Sequence, residues 1–391
     1  MPAPDFMKKL YYLLKKLDIY QILTLFLLLA LVWHSIESQP TEVSIGVILP
    51  LSGQNAARAE SHQKGILLAV EHVNKTGGIN GRPLNMLIRD NHDDPAITAL
   101  ATRDLIYENH VLTLLGGISP ENTRVIQHLS EKARVPFLTA LCTSFELTVN
   151  GSEYTFRSIT DDKKQFEAIC EYAGKRFNAK KPALIYDSQL YDSASAQKFI
   201  ESALKNGQQV VAAVSYRPET RNYRKQLDII RAANPDSLFI LAPPLESALI
   251  LRQTRESRFT KPVSGVNPFS TSEFINFAGI YSESSICTLP FNSRLGGQRA
   301  EYFLAEFIEK YGHGADSDAA MGYEAIMLTA LALKAGEFDK QLIRNNFAAM
   351  HGWESVTGSG GFDQQGNQVR PAEIAIIKER QKIPVSMEDL F

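Results

Sequence analysis

Val43-Ser44-Ile45-Gly46-Val47-Ile48-Leu49-Pro50-Leu51-Ser52-Gly53 decides the architecture. Its first seven residues are almost continuously apolar, which suits a parallel strand covered on both faces. Pro50 to Gly53 then form a loop, and a helix opens near Ala57. Ile66, Leu67, Val70 and Val73 make a helical stripe, which stops at Gly77-Gly78. The same unit recurs. Leu84 to Arg89 is a second strand, followed by Asp94 as helix N-cap with Pro95 at the first helical position. Val111 to Leu115 and Val135 to Thr139 are the next strands, with a helix from Pro120 to about Ala133 between them. Their loops, Gly116-Gly117-Ile118-Ser119-Pro120 and Thr139-Ala140-Leu141-Cys142-Thr143-Ser144, fall on the same sheet edge as Pro50 to Gly53. Open α/β sheets bind ligands beyond the carboxyl ends of their strands, at helix N-termini. The edge therefore reads as a ligand site, and nothing in it resembles catalytic machinery.

A loop from about Glu146 to Thr160 interrupts the rhythm, which then restarts. Helices are predicted near Lys164–Arg176, Ser193–Lys205, Asn222–Ala233 and Leu245–Thr254, and strands at Ala183–Tyr186, Val210–Tyr216 and Ser237–Leu241. The last third reads as helices over Ala300–Tyr311, Ala319–Lys334 and Lys340–Met350. Turns follow at Gly358–Gly361 and Gln364–Gly366, and then a strand at Glu373–Ile377. Two runs of alternating strand and helix imply an α/β protein with two doubly wound sheets and right-handed crossovers.

The chain has 391 residues, 44% of them hydrophobic and 21% charged, which fits a globular core. A net charge of -2 gives no basis for nucleic-acid binding. Three scattered cysteines, Cys142, Cys170 and Cys287, make neither a disulfide framework nor a zinc site. Cys142 lies among the loop residues of the cleft, where a small, half-buried residue is the plain reading. His62 and His92 with Asp90, Asp93 and Asp94 lack metal-ligand spacing, so no metal or cofactor is expected, and turn and cap chemistry accounts for the acids.

The first 42 residues differ. Lys8, Lys9, Lys15 and Lys16 precede an apolar stretch from Ile19 to Ile36, and no Lys or Arg follows until Arg58. This asymmetry puts the N-terminus in the cytoplasm and the remainder outside it. The stretch is long enough to span a bilayer. No convincing small-residue cleavage site follows Ala30, so an uncleaved anchor is favoured over a cleaved signal. Glu37 to Glu42 reads as a linker.

Taken together, Gly46 to Gly53, Gly77-Gly78-Ile79-Asn80-Gly81, Asp90 with Asp94-Pro95, and Gly116-Gly117 resemble the type I periplasmic binding proteins. Tyr154-Thr155-Phe156-Arg157, Tyr186-Asp187 with Tyr191, Tyr323-Glu324-Ala325 and Gly361-Phe362-Asp363-Gln364-Gln365-Gly366-Asn367 extend the match, which runs from about Val43 to Lys378. The chain is most similar to the leucine/isoleucine/valine-binding components of ABC transporters and their amide-binding sensor cousins. The resemblance implies two Rossmann-like lobes joined by a three-crossover hinge, with residues 43–158 plus 290–359 in lobe 1 and 159–289 plus 360–391 in lobe 2. It also implies a non-enzymatic, extracytoplasmic solute-binding protein on the periplasmic face of the cytoplasmic membrane. Closure over a small polar ligand (an amino acid, amide or related carboxylate) would be read by an ABC permease or, alternatively, by a membrane signalling partner. No Gly-x-Gly-x-x-Gly follows the first strand and no nucleophile elbow is present, which sets an enzyme aside.

The resemblance also implies site residues. Ser119 and Thr143 would supply hydroxyls, and Leu141 backbone, to a ligand carboxylate; Ser119 also reads as a plain helix cap before Pro120 and Glu121. Tyr191 falls where the family places an aromatic over the ligand, though a surface tyrosine at a helix start is the alternative. Asn267 occupies the place of the acid that meets an ammonium in the leucine-binding relatives. A neutral amide cannot pair a desolvated cation as a carboxylate does. Either another acid, such as Glu60 or Glu246, takes that part, or the ligand is not an α-amino acid. Gln54 to Glu60 lacks the family's Tyr-Gly, Asp192 replaces a glycine, and Ala242-Pro243-Pro244 replaces a more flexible stretch.

Overall fold

The computed structural model describes residues 42–385, apart from Asn150 and Asp192, together with 18–21, 23–24 and 27–28 of the N-terminal segment. In that segment the backbone N–H of Asp18 donates to the Gln21 side chain and that of Gln21 to the Asp18 carboxylate, a reciprocal cap at a helix start. Ile19, Tyr20, Leu23, Leu27 and Leu28 are exposed. Most of the expected anchor, with Lys8, Lys9, Lys15 and Lys16, lies outside the described residues. Among the described residues no helix is long and apolar enough to cross a membrane.

From Ser44 onward the chain builds two sheets. The first contains β1 (Val43–Leu49), β2 (Leu84–Asp90), β3 (Leu114–Gly116), β4 (Phe137–Thr139) and β5 (Thr155–Arg157), in the order β2-β1-β3-β4-β5. β1–β3, β3–β4 and β4–β5 are parallel. The interrupting loop of the sequence reading thus hides a strand: β5 is three residues long, too short to show a period, and it completes the sheet edge.

The second sheet is larger. β6 (Pro182–Asp187), β7 (Ala212–Tyr216), β8 (Ser237–Leu241), β9 (Val263–Gly265) and β10 (Ile286–Leu289) are parallel. β13 (Glu373–Lys378) and β14 (Gln381–Val385) add antiparallel strands at one edge, giving β14-β13-β10-β9-β8-β6-β7. Ile185 and Ile240 enter one hydrophobic core and Leu184 and Phe239 the other, so both faces are covered. This is why the strands read as unbroken apolar runs. Gly358–Gly361, expected as a turn, is instead β12, paired antiparallel with β11 (His351–Ser355). Four residues, three of them glycine, carry no strand propensity, and pairing with β11 alone holds them extended.

The chain passes between the sheets three times: after β5, after β10 and between β12 and β13. After the second passage the Ser317–Ala335 helix packs along Ala56–Lys75, the helix that follows β1. A small cavity is lined by all three passages, through Ser158 and Thr160, Leu289 and Pro290, and Gln368 and Pro371.

The two packed helices approach through glycines. A Cβ on Gly65 would lie 1.9 Å from the Ala319 carbonyl oxygen, and one on Gly322 2.3 Å from that of His62. Alanine would favour the helix by about 1 kcal/mol. Forcing two backbones apart costs about 1–3 kcal/mol, and at a 1.9 Å overlap the upper end applies. Gly65→Ala is therefore expected to destabilise the protein by roughly 1–2 kcal/mol in urea denaturation. An unchanged midpoint would show that the helices separate freely.

Candidate functional site

The carboxyl edge of the first sheet is assembled by tight loops. A Cβ on Gly116 (φ +133°) would sit 2.0 Å from the Ile48 carbonyl oxygen, so only glycine lets the β3 loop lie against the end of β1. The buried Thr139 hydroxyl donates to the Gly117 carbonyl at 3.2 Å and accepts from the Cys142 N–H at 3.3 Å, fastening the β3 and β4 loops together. Leu141 and Cys142 are buried there, and burial pushes the Cys142 thiol up.

Ser119 holds the N-cap position of the Pro120–Ala133 helix in extended conformation, with Pro120 at the first helical position. Its hydroxyl does not cap the helix, however. The Oγ is buried with no hydrogen-bond partner, so capping alone does not account for this residue. At the end of β2, Asp90 accepts from the Leu51 N–H at 2.9 Å, the His92 N–H at 2.8 Å and the Ser52 hydroxyl at 3.0 Å. Burial opposes its ionisation, but those bonds more than offset it and hold the carboxyl below its ordinary range. Asp94 caps the next helix through the Ala96 and Ile97 amides, as expected. Among the described residues no group of three or more His, Cys, Asp or Glu could hold a metal ion.

On the second sheet, Asp187 at the end of β6 stands in register with Tyr216 at the end of β7, and Tyr186 with Leu241 of β8. Asp187 Oδ1 accepts from the Gln189 and Leu190 amides, and its carbonyl accepts from the Tyr191 N–H at 3.1 Å. Tyr191 is 7% exposed and part of a core cluster, which disposes of the surface reading. Burial, then the charge of Asp162, pushes its phenol above the ordinary value. Asn267 is half-buried, and its Oδ1 accepts from the Thr288 hydroxyl at 2.9 Å, so the amide is tied into its own sheet. Glu246 is buried in the first turn of the Pro244–Glu256 helix.

The two edges face one another. Arg58, Asp162 and Cys142, as well as Asp187, all act electrostatically on Tyr191. Asp162, 3% exposed, donates its N–H to the Thr143 carbonyl at 2.8 Å, and its carboxyl is hydrogen-bonded to the Thr143 side chain. Its Oδ1 has no partner. Arg58 pairs with Asp318 through Nε and Nη2, each at 3.1 Å. Ser119, Leu141, Thr143 and Tyr191 are thus brought to one cleft together with two residues that the sequence reading missed. Asp162 left a signal: Asp161 and Asp162 are consecutive, and only Asp161 is used to cap the helix, accepting from the Lys164 N–H. Glu60 is not brought in. It is exposed and pairs with Lys64 one turn on, at 3.0 Å.

A sequence profile for periplasmic binding proteins matches residues 42–380. The "Leucine-, isoleucine-, valine-, threonine-, and alanine-binding protein" of Pseudomonas aeruginosa is 24% identical over 83% of this chain and 87% of its own length. A leucine-binding protein, LivK, from Thermotoga maritima superposes with a TM-score of 0.82 at 25% identity, over 89% of this chain and 99% of its own. The substrate-binding protein LivJ from Streptococcus pneumoniae, solved with isoleucine, gives 0.80 at 26% identity, over 88% and 99%.

Asp162 makes stability depend on pH. Burial pushes its carboxyl from 3.8 up to about 6, against the pull of Thr143 and Arg157. The folded state therefore holds this proton in a range where the unfolded chain has released it. The contribution is complete below pH 3.8 and is lost as pH rises through about 6. The gap is worth on the order of 3 kcal/mol. Asp162→Asn should stabilise the unliganded protein at pH 7 but not at pH 4, as read from urea midpoints at both. Parallel pH profiles for the two proteins would refute this.

Proposed function

Because the chain belongs to the periplasmic binding protein family, we propose that it captures a free amino acid between two lobes, for delivery to an ABC permease. The lobes are residues 43–158 with 290–359, and 159–289 with 360–391. One observation carries the reading: the cleft holds an unpartnered buried hydroxyl, Ser119 Oγ, at the start of the Pro120–Ala133 helix and an unpartnered buried carboxylate oxygen, Asp162 Oδ1, on a residue bonded to Thr143. A zwitterion satisfies both. Its carboxylate meets Ser119, the uncapped start of the Pro120–Ala133 helix and the Leu141–Thr143 backbone, where the helix dipole favours an anion. Its ammonium meets Asp162, which takes the part that Asn267 cannot. Tyr191 covers the ligand from the second lobe.

The names of the relatives support an amino-acid ligand. The lysine-flanked apolar stretch from Ile19 to Ile36 supports an N-terminal helix that tethers the protein to the outer face of the cytoplasmic membrane. Such a tether also suits a ligand sensor, and binding of the loaded protein by a purified permease would separate the two.

Isothermal calorimetry on the full chain tests the ligand class with L-leucine, L-alanine, L-threonine and L-glutamine, against amine-free 4-methylpentanoate and benzoate. At least one amino acid is expected to bind and the amine-free acids are not. Asp162→Asn and Ser119→Ala should each weaken that binding about tenfold or more, the loss of a hydrogen bond to a charged group. An amine-free acid that binds as tightly as the best amino acid would overturn the proposal.

A further inference from the structure

The carboxyl edge of the second sheet holds two more buried polar atoms that have no hydrogen-bond partner among the described residues. The Tyr216 hydroxyl lies at the carboxyl end of β7, on a residue 2% exposed, and has no hydrogen-bond partner. Glu246 is 6% exposed. Its Oε1 is 3.3 Å from Nη1 of Arg221, a largely exposed side chain, while its Oε2 has no partner. The two belong to one cluster: the Tyr216 ring packs edge-on against Tyr223 at 5.0 Å, and the Tyr223 N–H donates to Gln253 of the helix that carries Glu246. Tyr216 also stands in register with Asp187, whose carbonyl accepts from the Tyr191 N–H. Tyr191 in turn feels Asp162 and Arg58. The cluster therefore runs from the place assigned to the ligand's ammonium into the second lobe.

A buried carboxylate oxygen only accepts, and a tyrosine hydroxyl either donates or accepts. An aliphatic side chain placed against them would leave both without a partner, which is the situation that makes polar sites reject apolar ligands strongly. Asp187, in register with Tyr216, binds the Gln189 and Leu190 amides through Oδ1 and makes no hydrogen bond to the Tyr216 hydroxyl. Arg58 does not neutralise the pair either, because its own charge is matched by Asp318.

We propose that Tyr216 and Glu246 form a polar side-chain subsite that takes an N–H donor (carboxamide, ammonium or guanidinium) at the far end of the ligand. The subsite rests on the amino-acid reading above and narrows it: this chain selects an amino acid with a side-chain N–H donor, which none of the amino acids in the names of its relatives carries.

The test is calorimetry on the full chain with L-leucine, L-glutamine, L-lysine and L-arginine. At least one of the three N–H donors is expected to bind tenfold or more tightly than leucine, and which one it is distinguishes carboxamide, ammonium and guanidinium. Tyr216→Phe and Glu246→Gln should each weaken the preferred ligand at least tenfold while leaving leucine within twofold. That selective loss is one that a merely structural role would not give. Leucine binding as tightly as the best of the three overturns the subsite but leaves the amino-acid reading standing. Equal weakening of every ligand in both variants also overturns it. No binding of any amino acid to the parent protein overturns both readings together.

Discussion

The Thr143 and Asp162 side of the cleft is placed by one buried cation. The Arg157 side chain, 1% exposed, lies where the chain first leaves the first sheet. Its guanidinium donates to the Ser144 carbonyl, the Thr148 hydroxyl and Asn367 Oδ1. Its backbone N–H donates to the Gly366 carbonyl at 2.8 Å, and its carbonyl accepts from the Gln368 N–H at 2.9 Å. A desolvated guanidinium is tolerated only when its donors are matched, and uncovering such a group costs about 3–5 kcal/mol. The first and third passages are therefore locked side by side, and the β4 loop is locked to both. Thr143 precedes Ser144, and Asp162 follows Arg157 by one turn of chain. Their mutual hydrogen bonding is thus a consequence of how Arg157 is satisfied.

Much of this was legible in the sequence because it rests on period and punctuation. Apolar runs gave the long strands of both sheets, the Gly116-Gly117 pair gave the loop at which Ser119 stands, and the end of the Val135–Thr139 run gave that of Thr143. What stayed hidden rests on pairing and helix phase. β5 and β12 are too short or too glycine-rich to announce themselves, and they exist because a neighbouring strand offers hydrogen bonds. Glu60 is one of two acids the sequence offers for an ammonium. Along the Ala56–Lys75 helix, however, the buried positions are Ala59, His62, Gly65, Ile66, Leu68, Ala69, His72 and Val73, a face that excludes Glu60 and Lys64. The stripe read from Ile66, Leu67, Val70 and Val73 misses that phase, because Leu67 is exposed and Val70 only half-buried. Asp162 needed other knowledge, namely that its neighbour Asp161 was already committed to the cap.

The Glu324 carboxylate, completely buried, resembles Arg157 in its setting. Its Oε2 accepts from the Ser355 and Thr357 hydroxyls, with Arg370 Nη2 at 3.4 Å. It joins the Ser317–Ala335 helix to the β11–β12 hairpin and to the third passage. Around the passages, then, most of the buried charge is met by partners supplied by the chain itself, Arg157 Nε and Glu324 Oε1 being the atoms left over.

The cleft carries unmatched groups as well. Ser119 Oγ, Asp162 Oδ1, Tyr216 OH and Glu246 Oε2 are buried without partners, on both sides of it. Each such atom costs roughly 1–3 kcal/mol while water is excluded and nothing replaces it. Closing the lobes on an empty site is therefore uphill, and a ligand that supplies the missing partners gains most of its affinity in the closed form. A ligand shifts a conformational equilibrium only by its differential affinity for the two states. Unmet hydrogen-bonding capacity in the cleft therefore makes closure conditional on the ligand. Under the proposed reading, Asp162 is both a source of instability in the empty protein and the residue that meets the ligand's ammonium.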